Sequence, residues 1–147
     1  MSKQTTEQLV ISLLELLPNY FQYFNNFTDI KEKHLTKTQL RILLILSAHE
    51  SLCMSQLAEK LCISREQVTR TIAPLIERKL VFRSIHDTNR RQFDVALTNS
   101  GIHLLSELKT EYFQHMEASL SALSEKEKTL FLESLQNITS IMQKMVH

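Results

Sequence analysis

Glycine and proline are scarce in this sequence of 147 residues, which contains one glycine and two prolines. Turn-rich all-β folds need many of both residues, so the scarcity favours long helices joined by short connections. A single glycine, Gly101, also excludes the glycine-rich loops that bind phosphate in Walker-type and dinucleotide-binding sites.

Long apolar runs and cysteines are lacking as well. No stretch approaches the roughly 18 apolar residues that a membrane span requires, and the first residues, MSKQTTEQLV, do not follow the plan of a secretory signal. Two cysteines, Cys53 and Cys62, are too few for a disulfide framework. We therefore expect a cytoplasmic protein without a membrane segment.

The overall charge is close to balanced, at +1, but its distribution is uneven. Residues 53–97 contain eight Lys/Arg and five Asp/Glu, a net of +3, whereas the remainder has nine and eleven, a net of −2. A local basic excess is typical of proteins that bind nucleic acid, and +3 is a modest one.

Apolar residues recur at helical spacing over most of the chain. The predicted helices cover residues 5–27, 37–49, 54–61, 64–80, 98–120 and 124 onward. We expect Pro18 to kink or break the first helix. In a capping box, a hydroxyl side chain and a carboxyl or amide side chain three residues later each accept the backbone N–H of the other residue. Capping boxes are predicted at Thr36/Gln39, Ser64/Gln67 and Ser124/Glu127. Thr98 is predicted to cap the helix that follows it.

Two short segments with alternating apolar and polar residues, 80–86 and 92–97, flank the polar turn 87–91. This pattern predicts a β-hairpin with a basic tip. The short helix over 54–61, its three-residue turn and the capped helix that follows predict a helix-turn-helix. The hairpin directly after it makes the motif a winged one. The fold class is therefore mainly α with a small β-hairpin wing.

The second helix of this motif presents polar residues opposite its apolar face. Arginine and glutamine match the edges of guanine and adenine in the major groove, and a threonine methyl matches that of thymine. We expect the major groove to be contacted by Arg65, Gln67, Thr69 and Arg70. We expect the DNA backbone to be held by Ser55, Gln56 and Ser64, and the wing contacts to be made by Arg90 and Arg91.

Pro74 lies ten residues into this helix, where it removes a backbone donor and costs about 3 kcal/mol in an ordinary helix interior. One hypothesis is that it kinks the helix and so aims the first two turns at DNA. The other is a tolerated proline on the solvent side.

The chain resembles the MarR family of bacterial regulators over nearly its whole length. The resemblance rests on MSQLAEKLCISREQVTRTIAPLIERKLV, NRRQFDVALTNSG and LSEKEKTLFLESLQNI. It implies a single domain over 1–147 that forms a homodimer through residues 1–30 and 99–147 and binds a pseudo-palindromic operator with residues 36–98. Members usually repress, and release DNA when a small molecule, an oxidant or a metal binds. The family often has glycine at the position of Lys79, and aspartate at that of Asn89.

Other functions are less well supported by the residues. Cys53 and Cys62 are possible redox sensors, and His103 and His115 possible metal ligands, each four residues from a glutamate; buried thiols and solvated polar residues are the simpler interpretation. A protein-docking winged helix stays open as an alternative. No catalytic site, metal site or cofactor is predicted. An aromatic set, Tyr20, Phe21, Phe24 and Phe27, lines either an effector pocket or the dimer core.

Overall fold

The computed structural model describes residues 3–24, 33–85, 88 and 92–145. The helices within these ranges are α1 (Lys3–Phe24), α2 (Lys37–Ser47), α3 (Met54–Leu61), α4 (Arg65–Glu77), α5 (Asn99–Leu120) and α6 (Glu125–Met145). The strands are β1 (Leu52–Cys53), β2 (Val81–Ile85) and β3 (Phe93–Leu97). The predicted fold class, mainly α with a β-hairpin wing, is confirmed. No described helix is long and apolar enough to cross a membrane.

The chain divides into two compact units, residues 1–111 and 112–147. The hydrophobic core of the first unit is formed by α2, α3, α4, the sheet and the first half of α5. Its fully buried side chains are Ile42, Leu43, Leu46, Leu57, Leu61, Val68, Ile72, Leu75, Val81 and Val95. The division into dimerisation and DNA-binding parts stays a prediction.

Two predicted capping boxes are complete in the structure. The N–H of Gln39 donates to Thr36 Oγ1 at 3.1 Å, and Gln39 Oε1 accepts the N–H of Thr36 at 2.9 Å. Ser124 and Glu127 exchange the same two bonds at 3.3 and 2.8 Å. The bonds from Ser124 lower the pKa of the Glu127 carboxyl because they stabilise its charged form. These boxes fix where α2 and α6 begin.

Gln39 also connects α2 to α4. The residue is 7% exposed, and its amide Nε2 donates to the carbonyl of Thr71 at 3.3 Å. The Gln39 side chain therefore caps α2 and also bonds α4, which fixes the position of α4 relative to α2.

The three strands form an antiparallel sheet in the order β1-β3-β2. In the hairpin, Val81 is opposite Leu97 and Ile85 is opposite Phe93. The sequence predicted the hairpin but missed β1, which is two residues long and pairs Leu52 with Val95. A strand of this length is too short to show an alternating pattern.

Helices α1 and α6 expose many apolar side chains. Helix α1 is continuous through Pro18, so of the kink or break expected there the break does not occur, and the kink stays a prediction. Helix α6, all of which is described, contains no buried residue. The large apolar side chains exposed on these helices include Leu9, Val10, Ile11, Leu13, Leu14, Leu16, Leu130, Leu132, Leu135, Ile141, Met142 and Met145.

Candidate DNA-binding surface

The turn between α3 and α4 sets the direction of α4. Cys62 adopts the left-handed conformation, with φ of 56°, and the N–H of Ile63 donates to the carbonyl of Ala58 at 3.2 Å. This is the Schellman motif, in which a left-handed residue ends a helix and reverses the chain. Ser64 then begins α4, because its Oγ accepts the N–H of Gln67 at 3.2 Å. Only this half of the predicted capping box is formed by the two residues, and the Gln67 side chain is exposed.

Helix α4 has an apolar face in the core and a polar face in solvent. Val68, Ile72 and Leu75 are buried. The exposed residues include the four predicted to contact the major groove, Arg65, Gln67, Thr69 and Arg70. The four predicted base-contacting residues are therefore all exposed on α4, and Arg65 and Thr69 lie on the side that faces the wing.

Arg70 and Glu66 form an exposed ion pair one turn apart. Arg70 Nη2 lies 3.7 Å from Glu66 Oε2, and the two side chains are 80% and 86% exposed. Exposed ion pairs contribute about 0–1 kcal/mol to stability. The Arg70 guanidinium can therefore leave Glu66 and bind another anionic partner with little loss of stability.

The hydroxyl of Thr69 is already bonded within α4. Thr69 Oγ1 donates to the carbonyl of Arg65 at 2.9 Å. The hydroxyl hydrogen is therefore used inside the helix, while the exposed side chain keeps the methyl group that was predicted to contact thymine.

Pro74 lies on the exposed side of α4, and the helix continues to Glu77. The backbone bond that Pro74 cannot make is the one to the carbonyl of Arg70. Its exposed position fits the interpretation as a tolerated proline. That it aims the first two turns stays a prediction.

Ser55 and Gln56, predicted to hold the DNA backbone, are exposed in the first turn of α3. Gln56 has a role that the sequence analysis missed. Its Oε1 accepts the N–H of Cys53 at 2.9 Å and so caps α3. The spacing of Gln56 from Cys53 is that of a capping box, but cysteine in place of serine or threonine hides the signal.

The wing contributes an arginine that was not predicted as a site residue. Arg83 on β2 places its Cζ 4.7 Å from the centroid of the Phe93 ring on β3, a cation–π contact. Arg90 and Arg91, the predicted wing residues, lie outside the described residues. Arg83 is opposite Val95 and Phe93 is opposite Ile85, so the two side chains meet diagonally across the hairpin. The hairpin was predicted from the sequence, but its register was not.

A small polar cleft of about 140 Å³ lies between the recognition helix α4 and the wing. Its lining residues are Cys53, Met54, Ser55, Arg65, Thr69, Arg83, Gln92 and Phe93. The cleft therefore joins the start of α3, one side of α4 and the two wing strands into one surface.

This arrangement of helices and wing recurs in solved structures. Apo wild-type MarR from E. coli superposes with a TM-score of 0.75 at 16% identity, over 88% of this chain and 95% of that one. NadR in complex with 4-hydroxyphenylacetate gives 0.68 at 24% identity, over 95% and 99% of the two chains. At such identities these likenesses establish the fold.

The sequence comparisons point to one family. A sequence model described as the MarR family matches residues 35–93, which contain the helix-turn-helix and the first strands of the wing. The HTH-type transcriptional regulator MhqR of Bacillus subtilis is 23% identical over 120 residues, 78% of this chain and 83% of MhqR. Residues 35–93 form a MarR-family domain, and the relatives over most of the chain are HTH-type transcriptional regulators. The chain is accordingly a DNA-binding transcriptional regulator and not an enzyme.

The position at which the MarR family often has glycine is left-handed in this chain. Lys79 has φ of 57°, and the N–H of Leu80 donates to the carbonyl of Leu75 at 2.9 Å. A second Schellman motif thus ends α4. The Lys79 carbonyl accepts the hydroxyl of Thr98 at 2.5 Å, which ties this turn to the start of α5.

The single glycine of the chain lies where two backbones meet. A Cβ on Gly101 would be 2.1 Å from the carbonyl oxygen of Leu80. Thr98, predicted to cap α5, accepts the N–H of Gly101 at 3.0 Å. Gly101 is therefore needed for close approach of α5 to the turn that follows α4.

Arg78 fixes the C-terminal end of the recognition helix. Its Nη1 and Nη2 donate to the carbonyls of His34 and Lys33 at 2.9 and 3.0 Å. Lys33 in turn lies 3.2 Å from Glu111 and 3.6 Å from Glu107 on α5. The hydrogen bond and charge of Glu111 raise the pKa of Lys33 above its usual value. Part of the basic excess around α4 is thus structural.

The residues considered for redox or metal chemistry are dispersed. Both cysteines are free thiols, and the interpretation as buried thiols is wrong for Cys62, which is exposed, whereas Cys53 is half-buried. His103 Nε2 lies 3.7 Å from Glu107, and no group of three or more metal-ligating side chains occurs in the described part of the chain. The predicted pairing of Glu111 with His115 has a competitor, because Glu111 binds Lys33.

A second, larger cavity of about 480 Å³ lies between the end of α2, the end of β3 and α5. Leu46 and Leu105, both buried, form part of its wall, and His49, Glu50 and Lys109 provide charged or titratable groups. Its volume is within the roughly 300–1,000 Å³ typical of small-molecule sites. The aromatic residues considered earlier for an effector pocket are Tyr20, Phe21, Phe24 and Phe27. Their side chains lie outside the part of the chain that the structure describes.

Proposed function

We propose that this MarR-family protein is a cytoplasmic homodimer that represses transcription by occupying a pseudo-palindromic operator. The observation that carries the proposal is the capped helix α4, whose outer face presents exposed arginine, glutamine and threonine beside a wing. The major groove of B-DNA is about 12 Å wide and accepts one such helix.

The proposed contacts follow from the position of each side chain. Gln67 and Arg70 would bind base edges and Thr69 a thymine methyl, since all three project from the outer face of α4. Ser64, at the N-terminus of α4, would meet a phosphate at the positive end of the helix dipole. Ser55 and Gln56 would contact the backbone from α3, and Arg90 and Arg91 would act in the wing.

The exposed apolar surface supports the homodimer. A helix of 21 residues without a buried side chain, such as α6, gains little from packing within its own chain. Helical stability in proteins comes mostly from packing of an apolar face. A second copy would cover the exposed apolar side chains of α1 and α6, and two-fold symmetry would present two recognition helices about 34 Å apart.

Release by a small molecule is the proposed mode of regulation. The cavity of about 480 Å³ supports it, because its walls belong to α2, β3 and α5, elements that surround the helix-turn-helix. A ligand bound in this cavity would contact α2, β3 and α5, the elements around the helix-turn-helix, without contacting DNA.

The decisive experiment is a selection of bound sequences from a random duplex library with the purified full-length protein. We expect enrichment of a pseudo-palindrome with half-sites about one helical turn apart. Gln67→Ala should alter the recovered sequence at one position of each half-site, whereas Asn137→Ala, an exposed change on α6, should leave it unaltered. No enrichment from folded protein at low salt would refute sequence-specific binding and favour a protein-docking winged helix.

A further inference from the structure

The cleft between α4 and the wing combines two arginines with no acidic residue. Arg65 and Arg83 both line it, and the ion pairs of the described residues are made by other side chains. Two like charges that share a small space repel each other, and an anion between them removes the repulsion. The composition of the cleft therefore favours an anionic ligand.

Further hydrogen-bond donors surround the same space. Ser55 is the second residue of α3, so its backbone N–H is among the donors left free at a helix start. Ser55, which carries a hydroxyl, and Gln92, which carries an amide, are both lining residues of the cleft. Guanidinium groups and N–H donors around about 140 Å³ suit a compact oxyanion such as a phosphate group. The space is much smaller than the roughly 300 Å³ that drug-sized ligands need.

The guanidinium of Arg83 and the backbone of Arg65 are both fixed before any ligand arrives. Arg83 stacks on Phe93 at 4.7 Å, which restricts its guanidinium to one side of the cleft. The backbone of Arg65 belongs to the first turn of α4, which Ser64 caps, and its carbonyl accepts the Thr69 hydroxyl. Groups that are already ordered lose less conformational entropy on binding.

We propose that this cleft binds one phosphodiester of the DNA backbone between Arg65 and Arg83, where a strand passes from the recognition helix to the wing. The inference rests on the DNA-binding function proposed above. It assigns Arg65 to the backbone rather than to a base edge, and it adds Arg83 and Gln92 to the residues that contact DNA.

The test measures how DNA affinity depends on salt. Binding of the full-length protein to the selected duplex and to a scrambled duplex is followed by fluorescence anisotropy at several KCl concentrations. The variants are Arg65→Gln, Arg83→Gln and the double variant, and the matched control is Arg41→Gln, an exposed arginine on α2 outside the cleft. Circular dichroism melting of each variant verifies folding.

Each single variant should weaken binding to both duplexes about tenfold and leave their ratio unchanged, since phosphate contacts carry no sequence information. The double variant should reduce the slope of log K against log salt by about one unit, because one phosphate is neutralised. Arg41→Gln should change neither quantity. Arg83→Lys, which keeps the charge but loses the planar fork, should bind with intermediate affinity.

Three outcomes would overturn the inference. A slope change of about two units in the double variant would mean two separate phosphates. A change of base preference in Arg65→Gln without a slope change would make Arg65 a base reader. Unchanged DNA affinity of the Arg83→Gln variant would show that the wing does not contribute to the phosphate contact. Failure of the unsubstituted protein to bind any duplex would instead refute the proposed function, and the inference with it.

A measurement without protein variants covers the case in which a variant does not fold. Each phosphate of the selected duplex is replaced in turn by a neutral methylphosphonate. One position in each half-site should weaken binding about tenfold for the unsubstituted protein, and the same position should have a smaller effect on a folded single variant, which keeps one of the two arginines. Small and uniform effects of the replacement at all positions would contradict the binding of a single phosphate between Arg65 and Arg83.

Discussion

Lys79 occupies a backbone conformation that disfavours a side chain. The left-handed region costs a non-glycine residue about 1–2 kcal/mol, and Lys79 has φ of 57°. Glycine there would remove this strain but would lose about 0.4–1 kcal/mol through the greater freedom of the unfolded chain. The strain exceeds the loss from that freedom, so the MarR-family preference for glycine at this position has a local cause.

Lys79→Gly should therefore raise the free energy of unfolding by about 0.5–1 kcal/mol. Urea denaturation at a fixed protomer concentration measures the change. Glu77→Gly, two residues earlier inside α4, is the control and should lower it by about 1 kcal/mol. Loss of stability in Lys79→Gly would show that the lysine side chain contributes more than the strain costs.

Gly101 is needed because of space. Its missing Cβ would lie 2.1 Å from the Leu80 carbonyl oxygen, which is backbone and cannot move aside as a side chain would. We expect Gly101→Ala to cost about 3 kcal/mol or more, measured as a drop in the urea midpoint. Ser100→Ala, an exposed change in the same turn, should cost less than about 0.5 kcal/mol. Equal effects of the two variants would disprove the close approach.

At the scale of elements, α4 and α6 begin with the same kind of cap but should differ in function. Ser64 accepts the Gln67 N–H, and Ser124 accepts the Glu127 N–H. Ser64→Ala and Ser124→Ala should each lower stability by about 1 kcal/mol. DNA affinity should fall only with Ser64→Ala, because that cap shapes the end of the recognition helix. Equal DNA affinities of the Ser64→Ala and Ser124→Ala variants in anisotropy titrations would show that the Ser64 hydroxyl does not contribute to DNA binding.

The elements were predictable where the signal is local. Helix α3 begins and ends at the predicted residues, 54–61, and the boxes at Thr36 and Ser124 mark true helix starts. Features that depend on distant pairing were not predictable. Strand β1 exists only because β3 lies beside it, and Arg83 reaches the cleft only through strand register. Pro18 was expected to kink or break α1, and the continuous helix excludes only the break.

At the scale of the whole molecule, the apolar faces of α1 and α6 predict that assembly controls DNA binding. Leu135 is 47% exposed within the chain, so a charge there costs the single chain little. Leu135→Glu should shift the protein to a monomer in light scattering and abolish tight binding to a two-half-site duplex. Asn137→Glu, exposed on the opposite side of α6, should stay dimeric. A dimeric Leu135→Glu variant would place the interface elsewhere.

Helix α4 is held at its C-terminal end by Arg78, which bonds the carbonyls of Lys33 and His34 just before α2. The helix has 13 residues and is about 20 Å long at 1.5 Å per residue. A tilt of about 3° at the held end moves the far end of a rod of this length by about 1 Å. A hydrogen bond stretched by about 1 Å is broken. A displacement of residues 33–34 too small to alter the fold is therefore enough to misalign the end of the helix that is proposed to face DNA.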